Sequence, residues 1–453
     1  MSADPSKKQD CFDGAKFLLR LLETIGAEVK LAPTTEGKNP LVMGRLGNDP
    51  NLRTVTFYGH YDVQPAMEPD WDHDPFEMSA KDGYYTGRGV SDNKGPILGF
   101  IFAVRELAEE LRHIEKKGQG AMPVNVAFLF EGEEENGSVG FKEAVKENAR
   151  WFEGTDAILI SNTLWVGETQ PCITYGMRGM INLSIEIRGP SKDLHSGNEG
   201  GVFSEPLSDL TKVLASLVDS RSNVCVPGFY DDVKEDTLDI AMPRLRNSSE
   251  FSLDGYRDYL GVKELTVGRT EEELLWARWC QPTLSVVDVR VGTAEDADTA
   301  HYRFGPTRFS VIPRAAVGKV SVRFVPDQSA DSIITRLSDH IKFEFAKLRS
   351  GNSINVTVHS VGDWWEADPN CKLVKLAEDS IRREWGETPL LVREGGTMPV
   401  ASALEKLLNA PALLLPMGQS SDNCHLSNER IRRINLLRGK NVVKYFLQSM
   451  ETY

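Results

Sequence analysis

Histidines and acidic residues follow several apolar segments of strand length, where they could bind divalent metal ions. His60 comes just after the apolar residues 54–58, and Asp62 comes two residues later. A carboxylate at that spacing can hydrogen-bond to a metal-binding imidazole and orient it. Taken alone, this pair is explained better by an ordinary surface histidine, so the interpretation depends on what the rest of the chain supplies.

An acidic cluster follows another apolar segment. Four of the five residues from Glu131 to Glu135 are glutamates, directly after the apolar residues 124–130. Their charges repel one another unless cations neutralise them, although a solvated acidic turn would also account for them. A second histidine, His425, ends the polar sequence SSDNCH after the apolar residues 412–415. Two histidines and several acids on oxygen-rich loops together predict a hydrolase site for divalent metals such as zinc or manganese.

A glycine-rich loop, GRGVSDNKGP at residues 87–96, has Asp92 as its only carboxylate. Asp92 closely precedes a predicted helix, so a helix N-cap explains an aspartate there as well as a metal ligand does. The glycines could suggest a phosphate-binding loop, but their spacing matches neither GxGxxG nor GxxxxGK[ST]. We therefore do not expect nucleotide binding.

Apolar and amphipathic segments alternate along the first part of the chain. Residues 54–58, 124–130 and 157–160 are largely apolar and of strand length, whereas residues 97–111 and 139–152 have helical periodicity. Strands and helices in this order predict a mostly parallel sheet with helices on both faces, and thus an α/β fold. The carboxyl ends of such strands lie at one edge, which would bring the polar loops together.

The pattern changes after residue 179 and returns near residue 372. Four strands and two helices are predicted between these points, which favours a smaller α+β domain of the ferredoxin-like type. The strands are residues 181–187, 284–291, 317–324 and 354–359, and the helices are residues 207–217 and 333–348. A strand at 412–415 and a closing helix at 429–449 restore the first pattern. We therefore expect a discontinuous catalytic domain of residues 1–177 and 361–453, with residues 178–360 inserted.

Composition limits the partners that the protein can have. The 453 residues carry a formal net charge of −14 with a pI near 5.2, which disfavours nucleic acids and anionic membranes, because both require a cationic face. The six cysteines form no CxxC pair, which is typical of reduced thiols in the cytoplasm. No apolar run approaches the ~20 residues of a membrane span, and the polar start is unlike a signal peptide. We therefore predict a cytoplasmic protein with a small-molecule or protein partner.

Six separated motifs, spread over essentially the whole chain, resemble those of one metallopeptidase family. That family includes carnosine and cysteinyl-glycine dipeptidases, bacterial carboxypeptidase G and aminoacylase. The motifs are GHYDVQPA at 59–66, GRGVSDNKGP at 87–96, EGEEENGS at 131–138, DLHSG at 193–197, REGGT at 393–397 and DNCH at 422–425. The resemblance implies hydrolysis of the amide bond of small peptides by a water that two divalent ions, zinc or manganese, activate.

The family holds its metal ions with histidines and carboxylates at matching positions. The resemblance implies that His60 binds the first ion and that Asp92 bridges both. It also implies that Glu135 and His425 complete the second site. Where the family has an aspartate as a further ligand of the first ion, this chain has Asn162. An amide oxygen can bind a metal but brings no charge, so we expect the first site to be weak.

The resemblance also implies roles in catalysis and in dimer formation. Glu134 matches the general base, which takes a proton from the activated water and later passes it to the leaving amine. Asp62 matches the residue that orients His60. His195 lies on the inserted domain, which serves relatives as a lid and dimerisation domain, and it matches a histidine that reaches the partner's active site. We therefore expect a homodimer.

Three further residues match family positions that hold the carboxylate and backbone of the substrate. They are Arg323, Ser310 and Thr397. Arginine suits a carboxylate because its planar group donates two parallel hydrogen bonds. Without the resemblance, a surface ion pair would explain Arg323, and ordinary loop polarity would explain the other two residues.

Asn162 also indicates which member of the family the chain resembles most. With Trp165, the sequence SDN at 91–93 and the sequence GQSSDN at 418–423, it makes the chain most similar to the peptidase-like subunit of the fungal glutathione degradosome. That subunit acts with a glutamine-amidotransferase-like partner in glutathione breakdown. Two functions therefore compete. One is an active hydrolase of di- or tripeptides, which include γ-glutamyl peptides, and the other is a weakly active or inactive scaffold subunit of a glutathione-degrading complex.

Overall fold

Strands and helices alternate in the computed structural model, which describes residues 1–67, 69–115, 122–234, 238–293 and 309–453. The described strands are β1 Glu28–Ala32, β2 Leu41–Leu46, β3 Thr54–His60, β4 Ser79–Lys81, β5 Tyr84–Thr86, β6 Asn125–Glu131, β7 Thr155–Ile160, β8 Cys172–Met177, β9 Gly179–Arg188, β10 Leu194–His195, β11 Thr283–Val291, β12 Val311–Ile312, β13 Ala315–Phe324, β14 Ser353–Gly362, β15 Trp365–Glu366, β16 Leu390–Glu394, β17 Ala412–Leu414 and β18 Arg430–Arg432. The described α-helices are α1 Lys8–Thr24, α2 Lys94–Glu115, α3 Phe141–Glu147, α4 Ser196–Glu199, α5 Pro206–Ala215, α6 Met242–Leu245, α7 Leu253–Leu260, α8 Glu271–Cys280, α9 Ala330–Lys347, α10 Lys372–Trp385, α11 Pro399–Leu408 and α12 Arg433–Ser449.

The largest sheet has its most apolar strands at its centre. Its order is β1-β2-β6-β3-β7-β17-β8-β15, and β16 pairs with β8. The central strands β6, β3, β7 and β17 run parallel. Strand β2 pairs antiparallel with β6, β8 with β17, β1 with β2, and β15 with β8. Every residue of β3 and β6 is buried, because helices cover both faces of a parallel sheet. The mostly parallel α/β sheet predicted from the sequence is confirmed.

Successive residues of β3 point to opposite faces of this sheet and anchor two apolar cores. Phe57 stacks on Phe100 of α2 at 4.7 Å and on Phe128 of β6 at 5.6 Å, measured between ring centroids. Tyr58 faces the other way and meets Phe141 of α3 edge to face at 5.9 Å. Burial of each such ring contributes roughly 1.5–3 kcal/mol, so the cores hold the carboxyl end of β3 in a fixed place.

A second, antiparallel sheet of four strands has the order β11-β13-β9-β14. Helices α5 and α9 pack on one of its faces, where their leucines and isoleucines meet the alternate apolar residues of β9 and β13. This α+β unit lies in the part of the chain that the sequence predicts as an insertion. The α+β class of that part is therefore confirmed.

The closing helix begins later than the sequence predicts. We expected it from residue 429, but α12 begins at Arg433, and Arg430–Arg432 form the short strand β18, which pairs with β5. A strand of three residues is too short to show a period of two. The predicted helix at 139–152 is also shorter, since α3 ends at Glu147 and a 3-10 turn, Ala149–Phe152, follows it. Within the described part of the chain, no helix is both long and apolar enough to cross a membrane.

Candidate metal centre

His60 ends β3 at the carboxyl edge of the large sheet. Its side chain is completely buried, so an ordinary surface histidine is excluded. Its Nδ1 lies 3.1 Å from the main-chain oxygen of Asp62 and 3.5 Å from Asp62 Oδ1, while its Nε2 lies 2.9 Å from Asp92 Oδ1. Nδ1 is thus held by Asp62, and Nε2 points to Asp92 in the glycine-rich loop.

The acidic segment after β6 is a turn that Asp62 holds in place. The backbone N–H of Glu134 donates to Asp62 Oδ1 at 3.2 Å, and that of Glu135 donates to Asp62 Oδ2 at 3.1 Å. Gln64 Nε2 donates to Glu135 Oε2 at 2.8 Å. Both glutamates are partly buried, so this segment is not a freely solvated acidic turn. Asp62 therefore positions His60 and the turn together.

Asp92 lies between the two histidines. His425 Nε2 is 2.9 Å from Asp92 Oδ2, the oxygen that His60 does not contact, and 3.3 Å from Glu135 Oε1. His425 is half exposed, at the end of the polar loop after β17. The histidines that stand at positions 60 and 425 in the chain thus approach opposite oxygens of one carboxylate.

Two groups of side-chain atoms have the composition of divalent-metal sites. Each group lies within 4.8 Å, and the groups are His60 with Glu134 and Glu135, and Asp92 with Glu135 and His425. Ligand atoms about 2.1 Å from one tetrahedral ion are roughly 3.4 Å apart, close to the separations of the second group. Imidazole nitrogens and carboxylate oxygens also suit zinc and manganese. The residues present therefore fit divalent metal ions.

The surroundings of Glu134 bring the pKa of its carboxyl group into the neutral range. Burial raises its pKa to about 7; the His60 imidazole opposes this rise, and the carboxylates of Asp92 and Glu135 add to it. Glu134 Oε2 lies 3.9 Å from His60 Nε2. A carboxylate with a pKa near the working pH is well suited to take up and return a proton.

Nearby carboxylates raise the pKa of both histidines in the absence of metal. Hydrogen bonds to Asp92 and then Glu135 raise the pKa of His425 to about 10. Burial alone would lower the pKa of His60, but the surrounding carboxylates, Glu134 first, raise it well above its usual value. Burial would raise the pKa of Asp92, yet its hydrogen bonds to His425 and His60 bring it far below the usual range. A metal ion that binds here must displace protons from the imidazoles.

Asn162 follows β7 at the same edge of the sheet. It lines a cleft of about 780 Å³ together with Asp92, Glu134 and His425. The cleft is large enough for a small peptide, and its wall is completed by α7 and the end of α8, which the sequence did not associate with the site.

Thr397 and Arg323 connect the cleft to the second sheet. Thr397 lines the cleft, and Arg323 Nη1 donates to Thr397 Oγ1 at 2.6 Å. Burial lowers the pKa of Arg323, and Glu394 opposes this change. Arg323 belongs to β13 of the α+β unit and contacts the cleft through Thr397, although it is not among the described residues that line the cleft.

His195 and Ser310 lie apart from the cleft within a single chain. His195 is exposed at the end of β10, and its Nδ1 accepts a hydrogen bond from the N–H of Gly197 at 3.1 Å. The main-chain oxygen of Ser310 accepts from the N–H of Ser196 at 2.8 Å. Neither residue is among the described residues that line the cleft. The structure brings these two residues together with each other but not with the candidate ligands.

Glu429 is a residue of the site that the sequence did not reveal. Its side chain is completely buried and accepts hydrogen bonds from the backbone N–H groups of Gly89, Ser91 and Asp92, at 3.0 to 3.1 Å. The sequence predicts position 429 as the start of the closing helix. The sequence near His425 shows only that an acidic residue follows four positions later. That spacing alone does not indicate a function for the residue.

Comparisons with known proteins agree with this geometry. Peptidase family M20/M25/M40 matches residues 56–449. The chain is similar to the Cys-Gly metallodipeptidase DUG1 of Candida albicans, at 35% identity over 460 residues, which cover 97% of this chain and 89% of that protein. It is 32% identical over 430 residues to the probable di- and tripeptidase DUG2 of Saccharomyces cerevisiae, covering 92% of this chain and 45% of that longer protein.

A solved structure shows the same fold. The crystal structure of human carnosine dipeptidase 1 has a TM-score of 0.84 and 33% sequence identity, and the match covers 100% of this chain and 92% of that chain. The family match spans most of the chain, and the relatives exceed 30% identity over nearly its whole length. The chain therefore belongs to peptidase family M20/M25/M40 and is a metallopeptidase.

Proposed function

We propose that this metallopeptidase hydrolyses the peptide bond of dipeptides, and of some tripeptides, in the cleft at the carboxyl edge of the large sheet. One observation carries the proposal. His60 and His425 contact opposite oxygens of Asp92, with Glu134 beside them. The similarity to a Cys-Gly metallodipeptidase and to a carnosine dipeptidase supports small peptides as the substrate class.

The site would hold two divalent ions, zinc or manganese. His60 and Asp92 would belong to the first ion, and Asp92, Glu135 and His425 to the second. Ions bound there would supply a nucleophilic water at neutral pH and polarise the scissile carbonyl. The two ligand groups and the double contact of Asp92 support this arrangement. Asn162 would complete the first site with an uncharged oxygen, which makes that site the weaker one.

Glu134 is the general base of the proposed mechanism. Its carboxylate takes the proton of the attacking water and then gives it to the leaving amine, which requires a group that changes protonation near pH 7. The pKa of about 7 supports this role. Asp62 accepts the N–H group of Glu134 and thereby keeps the carboxylate beside His60.

Substrate recognition would use both parts of the chain. We propose that Arg323, Ser310 and Thr397 bind the carboxylate and backbone of the peptide, and that His195 acts in the cleft of a second protomer. The position of His195 outside its own cleft supports action across a homodimer. Residues 178–360 would then be the lid and dimerisation domain, and residues 1–177 and 361–453 the catalytic domain. Strand β11 is an edge strand that exposes Val287 and other valines. This exposed apolar strand supports a further contact between the two protomers there.

A second function is favoured by Asn162, because an uncharged ligand would weaken the first metal site. In that case the chain would be a weakly active or inactive scaffold subunit of a glutathione-degrading complex, with a glutamine-amidotransferase-like partner that supplies the chemistry. Both functions place the protein in the cytoplasm, and its six free cysteines support that location.

Metal content and turnover distinguish the two functions. The purified chain would be assayed with Cys-Gly, β-Ala-His, γ-glutamyl dipeptides and an N-acyl amino acid, each with manganese, zinc and cobalt. Near two ions per chain with turnover of at least one dipeptide is the expected result. Little bound metal and no turnover would refute the enzyme and favour the scaffold. Glu134→Gln is the matched control, because it should keep the metal and lose the turnover.

A further inference from the structure

The loop that carries Asp92 turns its backbone N–H groups towards one buried carboxylate. Glu429 Oε2 accepts from the N–H of Gly89 and from Arg88 Nη1, both at 3.0 Å. Glu429 Oε1 accepts from the N–H of Ser91 at 3.1 Å and from the N–H of Asp92 itself at 3.0 Å. Four donors from one short stretch of chain therefore converge on a single side chain.

The same connection fixes the other half of the candidate metal site. Glu429 lies four residues after His425, and its main-chain oxygen accepts from the N–H of Gly87 at 2.9 Å. On the other side of His425, Asp422 Oδ2 accepts from Ser91 Oγ at 3.0 Å. The loop of Asp92 and the loop of His425 are thus joined on both sides of the contact between these two residues.

The charge of Glu429 is balanced locally, so its effect on the site is one of geometry. Arg88 forms a buried ion pair with it, with side chains 1% and 0% exposed. Gly89 makes the turn possible, since its φ of +86° suits glycine and an added side chain would overlap Val63. Hydrogen bonds to a carboxylate are about twice as strong as neutral ones, which favours a rigid loop.

We propose that Glu429 is a positioning residue that sets the separation of Asp92 and His425 and thereby pre-forms the second metal site. It touches neither substrate nor ion and acts only through the backbone of the Asp92 loop. This inference rests on the proposed function, in which Asp92 and His425 bind metal. Ligands of a metal site need such support, because orientation by outer groups changes metal affinity by about 10- to 100-fold.

The test compares two substitutions that separate geometry from charge. Glu429→Asp keeps the charge and the pairing with Arg88 but withdraws the carboxylate by about 1.5 Å. Glu429→Gln keeps the size but turns one acceptor into a donor. Asp209→Asn is the matched control, because Asp209 is equally buried and accepts from Ser350 Oγ and Asn352 Nδ2 in the α+β unit. Manganese affinity of each full-length, metal-stripped protein is measured by calorimetric titration, with circular dichroism to verify folding.

We expect the affinity of the tighter manganese site to fall about 10- to 100-fold in both Glu429 variants and to stay unchanged in Asp209→Asn. Affinity within twofold of the unmodified protein in folded Glu429→Asp and Glu429→Gln would overturn the inference. An equal loss in Asp209→Asn, or failure of both Glu429 variants to fold, would do the same, because Glu429 would then serve stability alone. If the unmodified protein bound no manganese, the proposed function itself would fail, and that outcome is distinct from all the others.

Discussion

Metal binding should release about two protons per chain at pH 7, because nearby carboxylates raise the pKa of both histidines of the site above its ordinary value. The pKa of His425 is raised to about 10, so only about one imidazole in a thousand is neutral at pH 7. The pKa of His60 is also raised well above its usual value. A histidine binds metal only in its neutral form, so each ion that recruits one of these residues must displace a proton.

The direction of the pH dependence follows from these raised values. The affinity of each site should increase with pH through the neutral range, by up to about 10-fold per unit, because each ion displaces one imidazole proton. The metal-free fold should show the opposite trend. A protonated His425 stabilises that fold fully below its unfolded pKa of about 6.5, and this contribution is lost as the pH rises through about 10.

Calorimetric titration with manganese at pH 7, repeated in buffers of different ionisation enthalpy, counts the released protons. Glu134→Gln is the control, since Glu134 has a pKa of about 7 and could itself change protonation, whereas the variant keeps both imidazoles. The variant should still release the proton of His425 but less of the proton of His60, because Glu134 contributes most to the raised pKa of His60. Release of less than about half a proton in both proteins would refute the electrostatic reasoning, since it would mean that the histidines are already neutral.

Three further outcomes test the proposed chemistry. Glu134→Gln should reduce turnover about 10²- to 10⁴-fold at unchanged metal content, and near-normal turnover would place the base elsewhere. A mixture of His195→Ala and Glu134→Gln chains should regain part of the activity, because a mixed dimer holds one site with both native groups; no recovery despite measured subunit exchange would contradict action between protomers. Asn162→Asp should tighten the weaker metal site about 10-fold or more and raise activity at low metal, whereas two equal sites in the unmodified protein would contradict the weak-site hypothesis.

The central fold could be predicted because its strands are buried on both faces. Residues 54–58, 124–130 and 157–160 are apolar without alternation, and they became β3, β6 and β7. The parallel order of these strands brings their carboxyl ends to one edge. That topology is why His60 and the acidic turn meet, although their distance in the sequence says nothing about their distance in space.

Contacts between distant loops are the part that the sequence did not reveal. Glu429 accepts a hydrogen bond from the N–H group of Asp92, 337 residues away in the chain. A backbone N–H group is present whatever side chain the donor residue carries, so the sequence does not indicate this bond. The resemblance to a family identified His425 but not the carboxylate that holds its loop. His195 shows the converse case, since its motif resembles that of the family but it is not among the described residues that line the cleft of its own chain.

The charge of the candidate metal centre gives the reason why we expect one neutral residue, Asn162, to have a large effect on metal binding. The two ligand groups contain three carboxylates, those of Asp92, Glu134 and Glu135. Asp92 also contacts His60 of the other group. One divalent ion leaves this set with an excess of one negative charge when all three are ionised, whereas two ions leave an excess of one positive charge. An aspartate at position 162 would make the doubly loaded site neutral, but Asn162 does not. After the first ion has bound, the net charge of the site is therefore close to zero. The neutral amide oxygen of Asn162 adds little electrostatic attraction for the second ion. The absence of this single charge should therefore give one tight and one weak site without any change in the positions of the other ligands.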